Sequence, residues 1–479
     1  MNNHPPETTG PTSQTAGDRR PSVQSIETDI ISPASPALHD LEKATTGPKK
    51  SSELHKSLSN VLSRAATHLT TRSLPEPPPP PDGGLRAWSQ VACAWLVIFV
   101  TWGQVNAFGA FQTYYTEALA PLSPSVVSWI GAVQVWLTFF VGAFSGRLLD
   151  AGFFRPTVVV GAVVQLLGLF LISASTRFWQ LMLTQGVLVG VGSGIVFTPS
   201  MGLLSTYFVK RRAVAIGLAT SGNAVGGLVY PLIVRQLLPA VGFAWTVRVV
   251  AFVNLVCLGI AVVFMRPRLP PRKSGPLIDF DAFREPVYVG IVTGLFFVMW
   301  GTYYTIYYRQ IGSYGTQALG LPYSTAAITV IVVNAAGLLP RIIVPFVAAR
   351  YGAINTAVPT TAIFAIVAFT WLAVRSEPGY YAFATVYGMS NGAFHCIMPT
   401  VIASITPRLD MVGTRLGMAF SIIGFAALTG PPIGGALQGA MGGNFMGASV
   451  WAAMSMVVCL GFISFARWRL AGFDLGAKI

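Results

Sequence analysis

Charge is what this chain has least of. Only 10% of its 479 residues are Asp, Glu, Lys or Arg, against roughly 25% in soluble proteins. A soluble body of that length needs far more charge to cover its surface, so a string of soluble domains is excluded. Cysteine is scarce too, and Cys93, Cys257, Cys396 and Cys459 each fall inside an apolar run. That placement argues against a disulfide framework or a zinc site. Of the histidines, His4, His39, His55 and His68 precede the apolar part and His395 stands alone within it. An embedded enzyme needs a His or carboxylate cluster near the bilayer surface, so the chain is not expected to be an enzyme, and no cofactor is expected. No short apolar stretch behind positive charge opens the chain, which predicts that the first long apolar span serves as the insertion signal.

What is present divides the chain in two. Residues 1–81 hold 8 acids, 8 bases and 13 of the 33 prolines. Such a segment cannot bury enough apolar surface to offset its chain entropy, which predicts a disordered cytoplasmic tail. Within it Leu54, Leu58, Val61, Leu62, Ala65 and Leu69 recur at helical spacing, fitting either a transient helix or one lying on the membrane surface. From Asp82 onward there are 23 bases and 9 acids, so the whole net charge of +14 lies there. Those bases sit singly or in short runs between apolar spans, which excludes nucleic acid as a partner and makes the lipid bilayer the expected one.

Beyond Asp82, apolar runs of membrane-crossing length alternate with short polar breaks. A helix needs about 20 residues to cross a bilayer. Twelve spans result, the first over 88–111 and the last over 448–468. In lipid the backbone must satisfy its own hydrogen bonds, so these runs are helices despite their Val and Ile content. With the tail cytoplasmic, the inner breaks and the C-terminal end hold 16 Lys and Arg, and the outer breaks hold only Arg177, Arg235, Arg309 and Arg375. The positive-inside rule then predicts that both termini are cytoplasmic. The expected organisation is a six-helix bundle over 82–265, a cytoplasmic linker over 266–286, and a second six-helix bundle with a short tail over 287–479.

The two bundles echo each other at an offset near 200 residues. Arg212 and Gly222 open span five, as Arg415 and Gly424 open span eleven. Spans four and ten each carry a glycine followed by a proline, Gly194 to Pro199 and Gly392 to Pro399. Two halves repeated in parallel are a transporter plan with the substrate site between them near the midplane. Gly142 and Gly146, Gly186 and Gly190, Gly222 and Gly226, and Gly290 and Gly294 are each four apart. Such pairs clear a helix face for close approach of another helix.

The break after span two, Gly146-Arg147-Leu148-Leu149-Asp150-Ala151-Gly152-Phe153-Phe154-Arg155, resembles the cytoplasmic loop of the major facilitator transporters. Gly146, Asp150 and Arg155 match that loop, while Ala151 and Phe153 replace its Arg and Gly. The resemblance implies a latch between the halves, in which Asp150 pairs with basic groups and Arg212 joins the cytoplasmic gate. Asp82-Gly83-Gly84-Leu85-Arg86-Ala87-Trp88 and Tyr207-Phe208-Val209-Lys210-Arg211-Arg212, running on to Ala219, are similar to two signatures of the monocarboxylate porters, with the long polar tail of the fungal members. The implied fold is the all-α major facilitator fold of twelve transmembrane helices in two bundles.

Ionisable groups inside a membrane are costly and usually functional. No Asp or Glu lies clearly within a span, which leaves Arg248, Arg341 and His395. Arg341 resembles the helix-eight arginine of the porters, which implies that it engages a substrate carboxylate; the competing role is one satisfied by backbone carbonyls. A guanidinium matches a carboxylate with two parallel hydrogen bonds. Arg248 is expected to reach the headgroups beside Trp245. His395 fits hydrogen bonding to substrate, proton carriage or plain packing. Asn106 and Asn391 are candidates for the substrate path, and Asn223 for helix contacts. Tyr303, Tyr304, Tyr307 and Tyr308 form either an interfacial anchor or a stacking surface, with Tyr303 the candidate substrate contact. The porters' proton-linked lactate carriers have a Lys and an Asp where Gly109 and Gly337 stand here, so a Lys–Asp switch is not expected and any proton coupling must take another form.

The resulting expectation is a secondary active transporter that moves a small anionic or polar organic acid across the plasma membrane by alternating access. The alternatives are an efflux carrier for a secondary metabolite, residence in a vacuolar or other internal membrane, and a transport-dead nutrient sensor.

Overall fold

The structure, a computed structural model, describes residues 79–269, 278–305, 314–315, 319–321, 323–407, 411–474 and 477–479. The tail with its helix over 54–69, residues 270–277 of the linker, and Tyr307 and Tyr308 lie outside the described residues.

Twelve helices carry the described chain: α1 Leu85–Asn106, α2 Phe108–Ala118, α3 Pro124–Asp150, α4 Phe154–Ile172, α5 Phe178–Tyr207, α6 Arg212–Phe264, α7 Pro286–Tyr304, α8 Tyr323–Tyr351, α9 Ala353–Thr370, α10 Glu377–Ser404, α11 Val412–Ala440 and α12 Met446–Ala471. Ten of the described helices are long and apolar enough to cross a membrane. Element α6 is two helices joined at a kink, and its 53 residues are enough for two crossings at about 1.5 Å per residue. It breaks at Gly242, whose φ of 76° is open to glycine and strained for other residues. The sequence places the boundary between spans five and six at that point. Helix α10, 28 residues long, is not among the ten. Its apolar character is diluted by Ser390, Asn391 and His395, so the helix richest in site candidates is the one long described helix that gives no membrane signal.

Local chemistry sets the helix ends. Ser123 accepts a hydrogen bond from Val126 N with Pro124 in the first turn of α3, and Ser376 does the same for Gly379 N at α10. Both are N-caps that satisfy donors the helix cannot. The sequence did not predict two features. Span one ends at Ala107 and continues as the separate helix α2. Residues Met182–Val189 within α5 are wound as a π-helix, with Gln185 accepting a hydrogen bond from the Tyr115 hydroxyl.

The paired glycines lie where helices meet. A Cβ on Gly103 would stand 2.5 Å from the Cα of Gly226, so α1 and α6 touch backbone to backbone. Gly142 and Gly146 face Thr198 of α5, Gly186 and Gly190 face Ile130 and Gln134 of α3, and Gly290 and Gly294 face Phe465 and Phe462 of α12.

Asp82 ties the segments Asp82–Trp88 and Tyr207–Arg212 into one contact. Its backbone sits in the left-handed region at φ 48°. Its Oδ1 accepts from the backbone N–H of Val209, Lys210 and Arg211 at 2.6, 2.8 and 3.4 Å, fixing the turn that leads into α6. Asp82 N donates to Tyr207 O at 3.1 Å. Burial alone would raise the Asp82 pKa, but the three N–H groups and the Lys210 charge outweigh it and hold the carboxyl below its ordinary 3.8. The second half has a parallel: Asp279 and Glu285, ahead of α7, bind Arg415 at the start of α11.

A carboxylate pKa depressed by folding stabilises the fold above the unfolded value, and that stabilisation is lost as pH falls through the folded value. Asp82→Ala is therefore expected to cost about 1 kcal/mol at neutral pH, the usual net worth of a hydrogen-bonded contact. The gap in unfolding temperature between the variant and the parent should close below about pH 4. A gap that stays constant with pH would show that the carboxylate charge plays no part.

Candidate functional site

A cavity of about 700 Å³, its open mouth included, lies between the two halves. One wall is aromatic. Trp102 of α1 packs on Phe139 of α3 and Phe197 of α5 with ring centres 4.6 and 5.3 Å apart. Phe420 of α11 closes the wall from the other half, 5.4 Å from Phe139 and 6.1 Å from Phe197. The opposite edge is polar and carries Tyr303 of α7, Arg341 of α8, and Asn391 and His395 of α10. No carboxylate is among the lining residues.

All five residues chosen from the sequence as substrate contacts, Asn106, Tyr303, Arg341, Asn391 and His395, line this one cavity. Arg341 is only 3% exposed, and its Nη1 donates to Gly337 O one turn earlier at 3.4 Å. Carbonyl contact and cavity exposure thus coexist, and among the described residues no carboxylate pairs with it. Gly337 shows why an acid is missing beside Arg341. A Cβ there would stand 2.9 Å from both the Arg341 Nη1 and Gly388 O of α10. Helices α8 and α10 are in backbone contact at this level, and only glycine fits without moving one of them.

Asn106 combines the two roles weighed for the asparagines. Its Nδ2 donates to Asn223 Oδ1 at 2.7 Å and to Asn334 Oδ1 at 3.1 Å, tying α1, α6 and α8 together across the halves. Asn223 lines the cavity as well as making this helix contact. Tyr303 and Tyr304 are 5% and 0% exposed, so the anchor reading fails for both: they pack inside the bundle instead of standing at its rim. Arg248 lies 4.9 Å from the Trp245 ring and donates from Nε to Ser173 Oγ at 3.3 Å, a position at the edge of the fold and away from the cavity.

Of the four latch candidates, three have described side chains or contacts. Gly146 packs on Thr198, Arg155 is exposed, and the Asp150 side chain lies outside the described residues. Arg212 Nε donates to Phe208 O at 3.5 Å, within its own turn. On the face of the molecule that carries Asp82, the halves meet through glycine. A Cβ on Gly217 of α6 would run into the Pro345 ring of α8, and one on Gly417 of α11 would stand 3.0 Å from the Cα of Ala143 of α3.

The aromatic wall was not foreseen. With 12% of the chain aromatic, nothing in the one-dimensional pattern marks four rings on four helices as neighbours.

Comparison with known proteins agrees with this architecture. The chain is 40% identical over 389 residues to an MFS-type transporter of Gibberella zeae, covering 81% of this chain and 88% of that one. It is 34% identical to the aspyridones efflux protein apdF of Emericella nidulans, covering 80% and 78%. It is 33% identical to the agnestins efflux protein AgnL12 of Paecilomyces divaricatus, covering 82% and 90%. Among solved structures, the human organic anion transporter MFSD10 (TETRAN) superposes with a TM-score of 0.61 at 14% identity, covering 80% of this chain and 99% of that one, a likeness of fold alone. Residues 94–408 match the family described as Major Facilitator Superfamily. The helical architecture, the glycine-lined contacts and the central cavity are thus those of a transporter, and the chain belongs to the Major Facilitator Superfamily.

Proposed function

We propose that the chain exports an amphiphilic, anionic secondary metabolite by alternating access. The observation that carries this reading is Arg341, a cavity guanidinium 3% exposed with no carboxylate among the residues lining its cavity. A buried cation without a counter-charge is expensive, and an anionic substrate supplies that charge. The aromatic wall of Trp102, Phe139, Phe197 and Phe420 suits an apolar or aromatic body better than a two- or three-carbon acid. Relatives named for efflux of aspyridones and agnestins support export of a larger metabolite over uptake of a small monocarboxylate. The porter-like signatures at Asp82 and Tyr207 are then explained by their contact with each other, a structural job independent of substrate size.

In this reading the protein resides in the plasma membrane, with proton coupling as the proposed driving force. The test is protein-dependent flux of 2-naphthoate in reconstituted vesicles. An imposed pH gradient should accelerate it. Flux indifferent to the gradient would make the protein a facilitated exchanger, and no flux above empty vesicles would overturn the carrier reading.

A further inference from the structure

The polar edge of the cavity holds two acceptors beside its one cation. The Nδ1 of His395 lies 3.0 Å from the backbone O of Asn391, one turn earlier on α10. A carbonyl has no proton to give, so the ring nitrogen is the donor. The neutral imidazole is therefore held as the Nδ1–H tautomer, and its Nε2 keeps a lone pair. The second acceptor is the Asn391 side chain. Its Oδ1 is buried in a residue 8% exposed and has no hydrogen-bond partner among the described residues. Both residues line the same cavity as Arg341, and Arg341 and His395 are within electrostatic range of each other.

Buried polar atoms are nearly always paired, so an orphan at a ligand cavity points to what the ligand brings. An anion offering only acceptors would satisfy Arg341 and bury both other groups without a donor. A ligand that also carries a hydroxyl satisfies all three.

We propose that the cavity selects hydroxylated organic anions: an ionised oxygen sits on Arg341, and a nearby hydroxyl donates to His395 Nε2 or Asn391 Oδ1. The class is that of aromatic hydroxy acids. This rests on the anion-export reading and sharpens it by making His395 and Asn391 readers of a hydroxyl. A hydrogen-bond match of this kind rejects an analogue without the donor by about tenfold to a hundredfold.

The test is equilibrium binding to the purified full chain in detergent at neutral pH, with fluorescent probes. These are 2-naphthoate, its 4-hydroxy and 6-hydroxy derivatives, and the matching methoxy derivatives. The hydroxyls in this set are too far from the carboxylate to bond to it internally. The methoxy compounds keep the oxygen and lose the donor. At least one hydroxy acid is expected to bind about tenfold tighter than both 2-naphthoate and its methoxy partner. The readout in variants is that ratio. His395→Phe should reduce it towards unity, whereas His395→Gln, which keeps an acceptor, should retain much of it. Equal binding of hydroxy and methoxy acids, with both still dependent on Arg341, overturns the hydroxyl inference and leaves the anion reading standing. Binding of 2-naphthoate that survives Arg341→Ala, or no binding of any probe by the folded chain, overturns the anion reading and the inference with it.

Discussion

Arg341→Ala is expected to lower flux of an anionic substrate by about 100-fold at low concentration, corresponding to the roughly 3 kcal/mol of a charge-assisted contact in a buried site. The same variant should unfold at the same temperature as the parent or above it. A guanidinium 3% exposed without a carboxylate partner costs free energy in the empty protein, so its removal relieves the fold while it disables binding. Arg341→Lys should recover little activity, because an ammonium is a point charge and cannot form two parallel bonds to a carboxylate. Flux in vesicles and thermal unfolding in detergent separate the two effects. Undiminished flux in the alanine variant would remove Arg341 from the substrate path.

Arg415→Ala should show the reverse signature, a large loss of stability. The Arg415 side chain is 5% exposed and binds Asp279 at 2.9 Å through Nε. Its two terminal nitrogens hold both Glu285 oxygens at 2.7 and 2.5 Å. Its own carbonyl accepts from the Tyr288 hydroxyl at 2.9 Å. Removing the arginine leaves one buried and one half-exposed carboxylate uncompensated, which costs about 3 kcal/mol or more. Arg415→Lys should recover only part, since one ammonium cannot serve three carboxylate oxygens in a fixed fork. An unfolding temperature unchanged in Arg415→Ala would show that this cluster does not hold the start of α11 in place.

These two arginines show the difference between pattern and partner. Both stand out in the sequence, Arg341 as a charge inside an apolar run and Arg415 as the repeat of Arg212. Which one is paired and which one faces a cavity depends on chain segments far away. Asp279 and Glu285 come from the end of the linker. Gly388, whose carbonyl forbids an acid at position 337, comes from α10. The same holds for Asp82. The sequence singles out Asp82-Gly83-Gly84 and Tyr207 to Arg212 separately, and only the fold brings the carboxylate onto the three N–H groups of the turn that leads into α6.

The all-helical character, the order of the helices, their approximate limits and the glycine faces were determined by the sequence alone. They rest on local physics: backbone hydrogen bonding in lipid, the length of a crossing and the room a missing side chain leaves. The five candidate contacts were equally legible, because polar groups in apolar runs are rare. The tertiary structure decided what those residues face. It set the aromatic wall of Trp102, Phe139, Phe197 and Phe420, the asparagine tie of Asn106, Asn223 and Asn334, and the burial of Tyr303 and Tyr304. Each depends on which helices meet and at what depth, and a helix's apolar composition does not encode its neighbour.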